Sequence, residues 1–65
     1  MAIKISMAAA RVNAGLTQKQ LAVICGVSET TVIKWENGKS VPRMDMIPVL
    51  ENAYGISIDY VRFPY

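Results

Sequence analysis

Few of the 65 residues are of a type that does covalent chemistry. Histidine is absent, which removes the commonest general base and the commonest metal ligand. Cys25 is the one thiol, and the five carboxylates (Glu29, Glu36, Asp45, Glu51 and Asp59) show no paired spacing. These counts predict a protein that is not an enzyme and that needs no metal and no cofactor. What remains is hydrogen bonding and charge. Residues 1–43 carry six bases (Lys4, Arg11, Lys19, Lys34, Lys39 and Arg43) against two acids, while residues 44–65 carry Arg62 against three acids. The net charge of +2 hides this asymmetry. It suits a basic face for a polyanion and a separate, less basic end. A scatter of solvated charges gives the same count, so charge alone does not decide.

Sixty-five residues make one domain, 1–65. A chain this short buries only about 60% of the surface that its unfolded form exposes. A hydrophobic content of 52% partly offsets that. There is no room for both a core and a deep cavity, so function belongs on an outer surface. No run of about 20 apolar residues is present to span a membrane. The N-terminus lacks an apolar leader with a small-residue cleavage site. A lone cysteine needs no oxidising compartment. The expectation is a cytoplasmic protein.

Glycines divide the chain into short helices. Met7, Ala10 and Ala14 share one helical face, so a first helix is expected from about Ile5 to Ala14, stopped by Gly15. Thr17-Gln18-Lys19-Gln20 reads as a capping box that opens a second helix, with Leu21, Ala22 and Cys25 inward and Gly26 at its end. Ser28 caps a third helix, with Val32 and Trp35 inward, and Asn37-Gly38 closes it. A fourth is expected over about Met44 to Tyr54, with Ile47, Leu50 and Tyr54 on one face. Pro48 fits its first turn if Asp45 is the N-cap. Ser57 caps a last short turn carrying Ile58 and Val61, and Arg62-Phe63-Pro64-Tyr65 is extended. No segment alternates apolar and polar over four residues, so no sheet is expected. The fold class is all-α, a compact bundle of four to five helices.

Two short helices joined by a tight glycine turn occupy residues 18–37. A helix-turn-helix needs apolar residues where its helices meet, a small residue at their close approach and a glycine in the turn. Leu21, Cys25, Val27, Val32 and Trp35 fill the apolar places, Ala22 the small one and Gly26 the turn.

Gly-Leu-Thr-Gln-Lys-Gln-Leu-Ala (15–22), Gly-Val-Ser (26–28), Trp-Glu-Asn-Gly-Lys (35–39) and Pro42 together resemble the Cro/repressor-type (lambda-repressor-like, XRE) helix-turn-helix family, over about residues 5–61. The resemblance implies five helices, with the third as recognition helix in the major groove of double-stranded DNA. It makes Gln18 a phosphate contact that also braces the recognition helix. It puts Glu29, Thr30, Ile33 and Lys34 at base edges. Thr30 then offers a hydroxyl to a base or its methyl to thymine; Lys34 bonds guanine or a phosphate; Ile33 packs on thymine methyls or is merely half-exposed. Glu29 departs from the commoner glutamine, and either accepts from cytosine or complements the helix dipole. Lys19, Asn37, Lys39, Ser40 and Arg43 fall to the sugar-phosphate backbone, through side chains and backbone N–H groups, with the minor groove as a second place for Arg43. Arg11 and Glu36 are implied to form an ion pair between the first and third helices, a phosphate contact being the other role open to Arg11.

One recognition helix contacts too few base pairs for specificity in a genome, so a homodimer on a palindromic operator is expected. The surplus apolar residues of 54–65 (Tyr54, Ile56, Tyr60, Phe63 and Tyr65) are its expected surface, unless they simply close the core. The function implied is that of a phage- or prophage-type repressor. The rival readings are an antitoxin-like or adaptor protein that holds a partner, and a restriction–modification controller that also activates. Cys25 and Trp35 are expected in the core, and Met1, Met7, Met44 and Met46 serve as start residue and packing.

Overall fold

A computed structural model of the chain describes residues 4–63; Met1, Pro64 and Tyr65, with the roles expected of them, lie outside that range. Four α-helices follow one another as α1 (Met7–Asn13), α2 (Gln18–Cys25), α3 (Glu29–Glu36) and α4 (Ile47–Tyr54). Single 3-10 turns stand before and after α4, at Met44–Met46 and Ile58–Tyr60. Among the described residues no helix is long and apolar enough to cross a membrane.

Helices of seven or eight residues are too short to persist alone, so their ends and their packing decide whether they form. Thr17 and Gln20 close the capping box at the start of α2: the Gln20 N–H donates to Thr17 Oγ1 at 3.0 Å, and the Thr17 N–H to Gln20 Oε1 at 2.9 Å. Ser28 Oγ accepts from the Thr31 N–H at 3.2 Å at the start of α3. Between the two helices Gly26 takes φ 69° and ψ 31°. The Val27 N–H then returns to the Ala22 carbonyl at 3.0 Å, which closes the turn. A Cβ at Gly26 would meet nothing within 4 Å, so the left-handed backbone alone selects glycine.

Both helices of this unit face inward onto Leu21, Ala22, Cys25, Val32 and Trp35, which are buried with Met7 and Ala10 of α1 and Leu50 and Tyr54 of α4. Val61 completes the core from the C-terminal segment.

Several expectations are corrected. A two-stranded parallel sheet is present, β1 (Ile5–Ser6) beside β2 (Val61–Arg62), in the register Ile5 to Val61 and Ser6 to Arg62. Two-residue strands carry no periodicity, and their pairing joins the two ends of the chain, so nothing local announces it. Val61 therefore sits in β2 and not in the final turn. α1 begins at Met7 because Ser6 caps it, its Oγ accepting from the Ala9 N–H at 3.0 Å. Asp45 does not cap α4. It lies in the preceding 3-10 turn, and Pro48 falls in the first turn of α4, where a missing N–H costs nothing. Ser57 does cap the final turn, accepting from the Asp59 N–H at 3.3 Å. Glu51 Oε2 ties that turn to α4 by accepting from the Ile58 N–H at 2.8 Å.

Gly26→Ala keeps all contacts and forces alanine into a left-handed conformation that costs about 1–2 kcal/mol. The melting temperature should fall by about 4 °C or more. An unchanged melting temperature would contradict the role given to Gly26.

Candidate nucleic-acid interface

The sequence of α3 sorts its side chains to two sides. Val32 and Trp35 are buried, while Glu29, Thr30, Lys34 and Asn37 are exposed and Ile33 is half-buried. At 3.6 residues per turn the positions 29, 30, 33, 34 and 37 span an arc of about 140°, opposite the core residues. Thr30 and Lys34 are one turn apart on that arc, as are Glu29 and Ile33. The structure thus brings the four expected base-reading residues onto one outer face. Glu29, in the first turn, also complements the positive helix end.

Beneath this face lies one polar cluster. Arg11 Nε donates to Glu36 Oε2 at 2.8 Å, and Arg11 Nη2 to Glu36 Oε1 at 3.4 Å. Gln18 Nε2 donates to the same Oε1 at 3.0 Å. The Arg11 and Glu36 side chains are only 14% and 5% exposed. Arg11 Nη1 also donates to the Leu16 carbonyl at 2.8 Å. α1, the loop after it, the first residue of α2 and the last residue of α3 are therefore joined at one carboxylate. Three of the five N–H groups of Arg11 are thus engaged within the protein. Gln18 is half-buried, with one amide N–H on Glu36 and a second left to donate.

The segment after α3 turns back on the helix end. The Lys39 and Ser40 N–H groups donate to the Lys34 carbonyl at 2.9 and 3.4 Å, the Asn37 N–H to the Ile33 carbonyl, and the Gly38 N–H to the Trp35 carbonyl. This corrects the expectation that backbone N–H groups here are offered to phosphates, because they satisfy the helix C-terminus instead. The side chains of Asn37, Lys39 and Arg43 are exposed, that of Ser40 is half-buried, and Lys19 is exposed beside Gln18. Arg43 and Asp45 form an ion pair at 3.4 Å that is largely in water and contributes little.

Of the expected dimer surface, Tyr54 is corrected to the core. It is 5% exposed, one turn beyond Leu50 on the inner face of α4. Ile56 and Phe63 are partly buried against the core, and Tyr60 is 53% exposed. Cys25 is buried, and burial pushes its thiol up from the usual range, which leaves it a neutral packing group. Among the described residues no cluster of acids and cysteine is placed to hold a metal.

Sequence reasoning passed over the outer side of α2. Val23 is 76% and Ile24 48% exposed, and with Leu16 and Gln20 they line an open groove of about 450 Å³. The signal was available: once Leu21, Ala22 and Cys25 point inward, Val23 and Ile24 must point out.

Arg11→Met strands the Glu36 carboxylate in a dry site, which costs about 3 kcal/mol or more. Arg11→Met with Glu36→Leu should lose less than the two single changes added together. Additive losses in urea unfolding would mean that the pair does not act as a unit.

Comparison with known proteins agrees with this geometry. Residues 7–61 match the Helix-turn-helix family. Among curated proteins the chain is similar to the HTH-type transcriptional activator BcrR of Enterococcus faecalis, at 39% identity over 49 residues, which is 75% of this chain and 24% of that protein. The chain thus spans about a quarter of the length of the relative it matches. No solved structure matches the chain significantly. The chain belongs to the XRE-type helix-turn-helix family of DNA-binding transcription regulators.

Proposed function

We propose that the chain reads a specific double-stranded DNA sequence through Glu29, Thr30, Ile33 and Lys34, and represses transcription as a homodimer on a palindromic operator. The observation that carries this is the polar cluster at Glu36. It holds the open face of α3 and the Gln18 end of α2 in one fixed relation. A recognition helix needs that relation, because phosphate contacts set its register in the groove and base contacts then specify. Gln18, Lys19, Asn37, Lys39, Ser40 and Arg43 serve as the backbone contacts. They act through side chains, since the N–H groups of 37–40 are already used. Arg11 has a structural role. Among the described residues Tyr60 is the exposed aromatic of the less basic end, and it supplies the centre of the dimer contact. The protein works inside the cell, where its DNA target is.

Two observations support a second reading, in which bound protein also touches a partner and activates. The relative BcrR is named as an activator. The groove at Leu16, Val23 and Ile24 is an apolar surface on the same helix that begins at Gln18. A reporter gene with the binding site set over, and then upstream of, its promoter separates repression from activation.

Thr30→Ala and Lys34→Ala should change which sequences are preferred when a duplex library competes for the protein. Lys39→Ala should weaken all sequences alike and reduce the salt dependence of binding by about one phosphate. Equal losses on preferred and random duplexes for all three would sink the assignment of α3.

A further inference from the structure

The open face of α3 carries one acid, Glu29, that does not hold the fold together. Among the described residues the ion pairs are Arg11 with Glu36 and Arg43 with Asp45, and Glu51 accepts from the Ile58 N–H. Glu29 joins none of these and serves the fold through the positive end of α3. Its helix neighbours do not neutralise it. The residues three and four positions on are Val32 and Ile33, both apolar. Lys34, the cation of the same face, is five positions on, about 140° round the helix. The open face is therefore graded in charge. Glu29 and Ile33 lie toward one edge, Lys34 stands at the other, and Thr30 and Asn37 fall between them.

A helix that enters the groove with this face carries the charge of Glu29 toward phosphates. That charge lowers affinity for every sequence, because non-specific binding is electrostatic. The base edges add to the effect. In the major groove guanine and thymine present acceptor atoms, which repel a carboxylate. Adenine sets its N6 donor beside the N7 acceptor, a pair that suits the amide of glutamine or asparagine. Cytosine presents the N4 amino group with no acceptor beside it on that edge, and this suits a carboxylate.

We propose that Glu29 is a specificity-determining residue that works by exclusion: its unneutralised charge weakens binding to DNA in general, and a cytosine opposite it, donating from N4, offsets that penalty at one position of the target. This rests on the reading of α3 as a recognition helix. Discrimination then comes from a repulsive element as well as from attractive contacts. Every base pair carries one amino group in the major groove, on cytosine or on adenine, so a carboxylate also tells which strand holds it.

Two measurements on the parent protein, Glu29→Gln and Glu29→Asp test it: affinity for a random-sequence duplex across a salt series, and selection from a duplex library. Glu29→Gln should bind the random duplex about three- to ten-fold more tightly at low salt, the scale of one charge contact in water. Its salt dependence should steepen by about one phosphate. Tighter binding cannot arise from a damaged fold. In the library, the parent should favour cytosine at one position by about five-fold or more, and Glu29→Gln should turn that preference to adenine. Glu29→Asp keeps the charge on a shorter arm. It should match the parent on the random duplex and lose the preference for cytosine. Random-duplex binding by Glu29→Gln that is no tighter than the parent's, or a library preference that it leaves unchanged, overturns the exclusion. The recognition-helix reading stands in that case if Thr30→Ala still shifts the selected sequence. A parent library without any enriched sequence overturns both.

Discussion

One buried carboxylate organises this small protein. Glu36 sits at the C-terminal end of α3, where the helix dipole disfavours negative charge, and its side chain is 5% exposed. Both circumstances raise its energy. They are tolerable only because Arg11 and Gln18 reach it from α1 and α2. An apolar residue at position 36 would give a stable core contact without direction. The carboxylate demands donors at set distances, so it fixes how three helices are turned toward each other.

The rest of the structure supplies what that arrangement needs. Caps at Ser6, Thr17 and Ser28 let helices of seven or eight residues form at all. Gly26 turns the chain between α2 and α3 without strain. Val32 and Trp35 seat α3 on the core, which leaves its other side open. The short parallel sheet and the Glu51 tie to Ile58 anchor the C-terminal segment, so that Val61 reaches the core. With a core of ten buried hydrophobic residues among those described, little stability is in reserve.

How much of this was readable in the sequence follows from the range of each signal. The caps at Thr17 and Ser28, the turn at Gly26 and the inner faces of α2 and α3 depend on residues a few positions apart, and all were visible. The link from Arg11 to Glu36 crosses 25 positions, and only family resemblance implied it. The pairing of Ile5 with Val61 had neither kind of signal. Pro48 pointed to a helix start nearby, but not to the 3-10 turn that absorbs Met44–Met46. For Tyr54 the sequence leaves two readings, a dimer surface built from the surplus apolar residues of the less basic end or the closing of the core, and its i+4 spacing from Leu50 favours the core that the structure shows. The open face of α3 followed from periodicity alone, whereas the direction of the N–H groups after Asn37 required the folded turn.

The central claim is that the cluster at Glu36 holds a recognition helix ready to read DNA sequence. Selection of bound duplexes from a random pool, at about 150 mM salt, tests it most directly. The account predicts an enriched palindrome with half-sites about 10 base pairs apart, centre to centre. A pool that emerges without any enriched sequence would contradict it.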